Sequence, residues 1–213
     1  MSRFVCWFVK ITAYLPQLAV FRTKIHYKNK CAQGRKIKGA AIVISNHTSV
    51  YDFAALMFTF YMRNLRCLMA EVLFGKNPLL GWFLKALGGI KIERDIYNFS
   101  FVSKSCDILG KGGVVEIFPE SRLPLKGENR PLPFKPSAAY IALLSGAPVI
   151  PVYTTGGYFS RERNHIMIGE RIYPSDISDP KLSEKENIER LTEHFRNTIM
   201  ELQNELEKEI GKG

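Results

Sequence analysis

Residues 41–52, AIVISNHTSVYD, join a short apolar run to a polar loop that contains one histidine and one aspartate. The run Ala41–Ser45 is rich in β-branched residues, which predicts a buried strand. The apolar stretch that follows, Tyr51–Tyr61, is a helix candidate. A strand, a polar loop and a helix in this order are typical of α/β domains, in which functional side chains collect in the loops beyond the strand ends.

Strands and helices continue to alternate towards the C-terminus. Further strands are predicted at Leu65–Ala70, Gly89–Glu93, Val114–Phe118, Val149–Tyr153 and Asn164–Gly169. Further helices are predicted near Pro78–Leu87, at Asn98–Leu109 and at Ser137–Ser145. The clearest helix covers residues 183–210, where Ser183 and Glu186 form a capping-box pattern ahead of an apolar stripe. We therefore expect a single α/β domain over residues 41–213, with a mixed, largely parallel sheet flanked by helices.

The charge is unevenly distributed along the chain. Lys and Arg number 30 against 20 Asp and Glu, which gives a net charge of +10, and the first acidic residue is Asp52. Such a charge predicts an anionic partner: nucleic acid, a membrane surface or a phosphorylated substrate. A solvated basic face is the usual explanation of a charge run, but here the cations follow an apolar stretch, which favours anionic lipid headgroups. Nucleic acid is not favoured, because no recognised binding motif is present.

The apolar stretch is residues 4–21, FVCWFVKITAYLPQLAVF, interrupted by Lys10 and Pro16. It falls slightly short of a spanning helix, and Lys10 argues against a signal peptide. We expect a helix or helix pair, broken by Pro16, that lies in one leaflet, and we assign residues 1–40 to a basic, membrane-associating segment. The alternative is a helix packed on the domain's own core. The four cysteines are expected to be free thiols, as in a reducing compartment. Together with the membrane-associating segment, they predict a peripheral or monotopic protein on the cytoplasmic face of the cell membrane.

His47 and Asp52 are the first candidate for catalytic chemistry. Neutral histidine is the natural general base near pH 7, and a carboxylate can fix its tautomer and stabilise the imidazolium. A five-residue offset does not place two side chains on one helix face, so contact requires a turn at His47 and a helix that begins near Ser49. Alternatively, Ser49 is an N-cap and Asp52 a first-turn acid. The spacing alone leaves the two interpretations balanced.

Three further segments carry charged side chains at predicted strand or helix ends. Arg94 ends the segment GGIKIER and suits bidentate phosphate binding, although a surface arginine is the more common case. FPESR, residues 118–122, places Glu120 and Arg122 after a strand, either as a functional pair or as a turn with a local ion pair. Lys135 precedes a helix and is able to face a phosphate. No metal-ligand spacing is present, so we expect no metal site.

Together these segments resemble the glycerolipid acyltransferase family, whose bacterial members acylate lysophosphatidic acid. Asn46, His47 and Asp52 match the family's N-H-x-x-x-x-D signature, and the segment that ends at Arg94 is similar to its second block. FPE begins the third block, which usually reads F-P-E-G-T-R, and residues 149–152, VIPV, resemble the fourth. The four blocks occur in the family's order and cover about half of the chain.

Two departures from the family pattern fall on the acceptor side. FPESR is one residue shorter than the usual third block, which changes either the backbone geometry at Arg122 or its contact with the substrate. Pro136 and Ser137 follow the Phe-Lys unit where the family tends to have glycine.

The resemblance implies an O-acyltransferase of phospholipid biosynthesis with no bound cofactor. It would move a fatty acyl group from acyl-CoA or acyl-ACP to the free hydroxyl of 1-acyl-glycerol-3-phosphate, giving phosphatidic acid. His47 and Asp52 would be catalytic. The residues implied to bind substrate are Asn46, Arg94, Glu120, Arg122 and Lys135. Alternatives are a different lysophospholipid or a lipid-linked acceptor and, more distantly, a non-catalytic protein that binds anionic lipid.

Overall fold

The structure is a computed structural model that describes residues 2–75, 77–92, 99–125 and 127–211. In these ranges the strands are β1 (Lys24–Tyr27), β2 (Ala41–Ser45), β3 (Leu65–Ala70), β4 (Ile90–Ile92), β5 (Val114–Ile117), β6 (Val149–Thr154) and β7 (His165–Ile168). The helices are α1 (Ser2–Thr12), α2 (Tyr14–Phe21), α3 (Asp52–Thr59), α4 (Val72–Gly75), α5 (Pro78–Leu87), α6 (Ser100–Gly110), α7 (Ser137–Ser145), α8 (Pro174–Ile177) and α9 (Glu184–Ile210).

The described strands form one sheet in the order β1-β7-β6-β2-β5-β3-β4. Neighbouring strands are parallel except β6 and β7, which are antiparallel. The predicted α/β fold with a mixed, largely parallel sheet flanked by helices is therefore confirmed. In a parallel sheet the carboxyl ends of the strands meet at one edge, and the loops after β2, β5 and β6 lie there together.

Helices cover both faces of the sheet. Ile42 and Ile44 of β2 pack into a core with α6, α7 and α9, whereas Ala41 and Val43 face a second core with α1, α2 and α3. All five residues of β2 are buried, as expected for a central parallel strand covered on both faces. The continuous apolar run that predicted this strand reflects that double burial.

An edge strand lies where none was predicted. β1 pairs in parallel with β7, and its four residues, KIHY, are exposed or only partly buried. A strand this short and this polar has no apolar pattern, so sequence reasoning had no signal for it. Residues 1–40, predicted to be a membrane-associating segment, therefore also contribute one strand to the sheet.

The N-terminal helices α1 and α2 meet at an angle of 59°. The break lies at Ala13, three residues before Pro16, because a proline has no N–H to bond the carbonyl one turn earlier. No single described helix is long and apolar enough to cross a membrane, whereas the bent pair together passes that test by length and composition. One side of α1 packs on the domain through buried Cys6 and Lys10, whose ammonium donates to the carbonyls of Tyr61 and Arg63.

The C-terminal helix α9 agrees with the prediction within one residue. Ser183 caps it, and Glu186 completes the capping box. Its apolar stripe is buried against β6, β7 and α7. This helix closes one face of the sheet and contributes no side chain to the site described next.

Candidate active site

Three loops meet at the carboxyl edge of the sheet. The loop after β2 carries His47, the loop after β5 carries Glu120, and the loop between β6 and β7 carries Tyr158. Hydrogen bonds connect all three loops, so the site is assembled by the strand order and not by one local motif.

His47 and Asp52 are in direct contact. His47 Nδ1 lies 2.9 Å from Asp52 Oδ2. The helix α3 begins at Asp52, three residues later than the start predicted near Ser49. Residues 48–51 therefore remain in a turn, which curls back so that the first helical side chain reaches the histidine ring. The spacing that was ambiguous in the sequence corresponds to a contact in the structure.

The Asp52 carboxylate is fully buried and receives donors on both oxygens. Besides His47, Oδ2 accepts the backbone N–H groups of Thr48 at 2.6 Å and Ser49 at 2.8 Å. Oδ1 accepts the hydroxyl of Thr48 at 2.9 Å and that of Tyr158 at 2.7 Å. Hydrogen bonds to a charged acceptor are short and strong, so these donors compensate the burial of the carboxylate and fix its orientation.

The His47 ring is held on two sides. With Nδ1 directed at Asp52, Nε2 is the nitrogen left to accept a proton. The ring stacks on Phe118 with centroids 4.4 Å apart and planes 22° apart. The side chain keeps 20% exposure, so the ring remains reachable from the open edge of the sheet. A neutral imidazole in this setting is able to take a proton from a bound hydroxyl.

Glu120 fixes the backbone of the same loop. Its Oε1 accepts the N–H of His47 at 2.9 Å, and its Oε2 accepts the N–H of Leu132 at 3.1 Å. Burial raises the pKa of this carboxyl, and the two N–H donors oppose that rise. The substrate contact that the resemblance implies for Glu120 stays a prediction, and the contacts observed orient His47 through its main chain.

Asn46 joins two strands at the site edge. Its Nδ2 donates to the carbonyl of Thr154, and its Oδ1 accepts the N–H of Thr154, both at 2.8 Å. The side chain is 2% exposed. The substrate contact predicted for Asn46 stays a prediction, and the contacts observed hold the end of β2 against β6.

Arg122 forms a local ion pair. Its Nη1 and Nη2 donate to the two carboxylate oxygens of Glu128 at 2.7 and 2.8 Å, and this lowers the pKa of Glu128 to about 2. A local ion pair is present, as in one of the two alternatives, but its acid is Glu128 and not Glu120. Ser121 before it has φ 60°, a left-handed conformation that favours glycine, and it stands where the usual third block has glycine.

Of the two other predicted phosphate ligands, Lys135 lies within the described residues and Arg94 does not. Lys135 is exposed, and its N–H donates to the carbonyl of Pro119 at 2.8 Å, which places this lysine beside the FPESR loop. Arg94 lies outside the described residues. Within the described ranges, no group of three or more His, Cys, Asp or Glu side chains is arranged to hold a metal ion.

Tyr158 is a site residue that sequence reasoning missed. It lies 106 residues from the carboxylate that it bonds, and a lone tyrosine in a loop carries no pattern. Burial and the neighbouring charge of Asp52 raise the pKa of Tyr158, so its hydroxyl stays protonated as a donor. Its ring meets Phe21 of α2 edge to face, with centroids 5.2 Å apart. The tyrosine thus links the N-terminal helices to the dyad.

The loop that carries Tyr158 is fixed by Asn164 and Gly156. Buried Asn164 accepts the N–H of Gly156 at 3.0 Å and the hydroxyl of Thr154 at 2.9 Å. Gly156 has φ 74°, and a Cβ there would lie 2.0 Å from Thr48 Oγ1. Only glycine fits this close approach, which keeps the loop against the turn that surrounds Asp52.

The chain is similar in sequence to known acyltransferases. The family model described as Acyltransferase matches residues 22–155. The 1-acyl-sn-glycerol-3-phosphate acyltransferase of Bacillus subtilis is 24% identical over 172 residues, which are 78% of this chain and 83% of that protein. The enzyme of the same name from Streptococcus pneumoniae is 26% identical over 77% of this chain and 61% of its own length.

The fold is shared with a solved structure. The 1-acyl-sn-glycerophosphate (LPA) acyltransferase PlsC from Thermotoga maritima superposes with a TM-score of 0.68 over 97% of this chain and 79% of that chain, at 20% identity. The family model covers more than half of the chain, and the His47–Asp52 pair lies inside the matched range. The chain belongs to the acyltransferase family and is an O-acyltransferase.

Proposed function

We propose that the enzyme transfers a fatty acyl group from acyl-CoA or acyl-ACP to the free hydroxyl of 1-acyl-glycerol-3-phosphate, giving phosphatidic acid. The observation that carries the proposal is the hydrogen bond between His47 Nδ1 and Asp52 Oδ2, which leaves Nε2 directed away from the carboxylate. The relatives from Bacillus subtilis and Streptococcus pneumoniae carry the name of this activity, which supports the choice of acceptor.

The chemistry follows from that hydrogen bond. His47 Nε2 takes the proton of the acceptor hydroxyl as its oxygen attacks the thioester carbonyl carbon. The new C–O bond forms, the C–S bond breaks, and the imidazolium returns its proton to the departing thiolate. Asp52 stabilises the transient imidazolium, as the carboxylate does in Ser-His-Asp sites. The products are an ester and a free thiol, with no covalent enzyme intermediate.

The acceptor phosphate would be bound beside the FPESR loop. Lys135 and Arg122 are two exposed cations of that region, and Arg94 is proposed as a third ligand from the sequence. Bidentate arginine contacts fix a phosphate in orientation as well as position, which converts binding into alignment of the hydroxyl with His47. Arg122 must exchange Glu128 for the phosphate, because its guanidinium is already engaged with both oxygens of that carboxylate.

The engaged Arg122 favours a second candidate acceptor. A lysophospholipid whose phosphate carries a headgroup, or a lipid-linked acceptor, needs fewer cationic ligands than a phosphomonoester. Either would suit the shortened third block with Arg122 retained by Glu128.

The enzyme would act on the cytoplasmic face of the cell membrane. Phe4, Phe8 and Ile11 of α1 and Leu15 of α2 are more than half exposed, so these helices present apolar side chains away from the domain. Lipid-soluble acceptors and anionic phospholipid are the partners that such a surface suits.

An acceptor panel tests this function. Purified enzyme in mixed micelles would receive acyl-CoA or acyl-ACP with 1-acyl-glycerol-3-phosphate, with lysophospholipids that carry a headgroup, or with monoacylglycerol. We expect the fastest ester formation with the phosphomonoester. A faster rate with a headgroup-bearing lysolipid would support the second candidate, and the absence of transfer to every acceptor would contradict the proposal.

A further inference from the structure

Helix α5 presents an apolar face that the domain does not cover. Leu79 is 72% exposed, Trp82 50% and Phe83 37%. The opposite side of the helix is tightly packed, since Gly81 is buried and a Cβ there would lie 2.6 Å from the carbonyl oxygen of Phe74. The exposed aromatic face is therefore held in place by a rigid contact, and it has no role in the dyad.

Helix α5 packs against α1, which also carries exposed apolar side chains. The two helices pack side by side, although they are far apart in the sequence. The outward residues of α1 are also apolar, with Phe4 at 75% exposure, Phe8 at 58% and Ile11 at 71%. Exposed apolar side chains on two neighbouring helices are typical of an interaction site. The packing of α5 on α1, which is proposed to contact the membrane, selects lipid over a protein partner.

A cationic groove borders α5. It has a volume of about 400 Å³ and lies between α5, β3, β4 and α6. Its charged lining is Arg66, Lys85, Lys91, Lys104 and one carboxylate, Asp107. An apolar helix face with lysines on its flank is the arrangement of interfacial helices, in which the rings enter the leaflet and the cations meet lipid phosphates.

We propose that α5 is a second membrane-contacting element, beside α1 and α2, whose occupant is an anionic lipid leaflet. Leu79, Trp82 and Phe83 enter the boundary between headgroups and acyl chains, where aromatic rings settle. Lys85 and Lys104 contact the lipid phosphates at the groove. Two elements from distant parts of the sequence fix how the domain is oriented on the leaflet, which a single bent helix pair does less firmly. This inference extends the proposed membrane association and is independent of which acceptor is acylated.

The two tryptophans of the chain, Trp7 and Trp82, allow a direct test. In the full chain with Trp7→Phe, the fluorescence comes from α5 alone, and in Trp82→Phe it comes from α1 alone. Each protein is mixed with vesicles of phosphatidylcholine and phosphatidylglycerol, with and without brominated acyl chains. We expect the emission of Trp82 to shift to the blue and to be quenched by the brominated chains.

Two results would overturn the proposal. One is emission of Trp82 that does not change when the protein binds vesicles, or a protein that does not bind them at all. The other is a blue shift that depends on protein concentration without vesicles, which would assign the α5 face to a second copy of the chain. The measurement uses no substrate, so it does not depend on the proposed acyl transfer.

Substitutions on the exposed face measure the contribution of α5. Leu79→Ser combined with Trp82→Ser should weaken binding to anionic vesicles about tenfold or more. The matched control is Leu144→Ser on α7, since Leu144 is 52% exposed on the other face of the sheet. Lys85→Gln and Lys104→Gln should each weaken binding about fivefold, with Lys181→Gln as the control. Equal affinities for variants and controls would contradict the proposal.

Discussion

Asp52 and Glu116 are two fully buried carboxyls with opposite surroundings. Asp52 follows a turn, where the backbone donors of Thr48 and Ser49, the hydroxyls of Thr48 and Tyr158, and His47 reach its oxygens. Glu116 lies within β5, where the neighbouring N–H groups serve the sheet, and neither of its oxygens bonds any described residue. Burial alone therefore does not make a carboxylate useful for catalysis, because the charge also needs donors aimed at it.

The environment of Glu116 disfavours its charge. Burial and the negative charge of Asp52 raise the pKa of Glu116 well above its ordinary value, and Lys10 opposes this only in part. The fold therefore favours the neutral form of Glu116, whereas Asp52 is placed to support a cation on His47. Removing the acidic group from each position should have different consequences.

Asp52→Asn should have the largest effect. The amide keeps the shape of the carboxylate but lacks the charge that stabilises the imidazolium, so kcat should fall about 1,000-fold. The measurement is the initial rate of ester formation, with thermal unfolding as the check on folding. Glu116→Gln is the matched control, because it replaces the other buried carboxyl by an amide of the same shape. Equal losses in both variants would remove the distinction between the two sites.

Tyr158→Phe should have an intermediate effect. The change removes one donor from Asp52 Oδ1 and leaves the Thr48 hydroxyl there, so kcat should fall about tenfold while KM changes little. Tyr51→Phe is the control. The Tyr51 ring is a neighbour of Tyr158, and its hydroxyl bonds no described residue.

A double variant tests whether Tyr158 acts through Asp52. In an Asp52→Asn background, Tyr158→Phe should cost less than it does alone, because both changes disturb the same hydrogen bond. Additive losses would mean that the tyrosine supports the site by another route, such as its ring contact with Phe21.

Glu116→Gln should have the smallest effect on activity and a pH-dependent effect on stability. The unfolded chain releases this proton near pH 4.5, but the folded chain holds it to higher pH. The folded state therefore binds more protons in that window, and wild-type stability falls as pH rises through it. The variant lacks this loss, so its free energy of unfolding relative to that of the wild type should rise steadily between pH 5 and pH 8.

Unfolding midpoints of wild type and Glu116→Gln between pH 5 and pH 8 would check this. A difference that stays constant over the range would show that the carboxyl is not held neutral by the fold.

The two carboxyl sites also differ in how far sequence reasoning reaches. For His47 and Asp52 both partners and the backbone donors lie within six residues, so a local pattern could suggest the pair, and the resemblance to the acyltransferase family favoured it over a helix cap. Sequence reasoning did not predict three contacts: the Tyr158 bond to Asp52, the Glu120 contact to the His47 main chain, and the Asn46 link to Thr154. Each of them joins loops that only the strand order brings together. Local patterns predict elements and motifs, whereas contacts across 70 or more residues require the fold.

The same limit applies to the rest of the fold. Apolar strands such as β2 and β5 were predicted since they are buried on both faces. β1 was missed because an exposed edge strand of four residues carries no apolar pattern, and the short helices α4 and α8 have too few residues for a helical period. A local ion pair of Arg122 was one of two alternatives that the sequence allowed, and Glu128 was not identified as its partner.

The most direct test of the account is the rate of thiol release from acyl-CoA by His47→Ala, with 1-acyl-glycerol-3-phosphate as acceptor and saturating substrates. We expect a loss of at least about 100-fold relative to wild type, with an unchanged unfolding midpoint, because the base that takes the hydroxyl proton is absent. A folded variant with a rate within about threefold of wild type would contradict the role of His47 as general base.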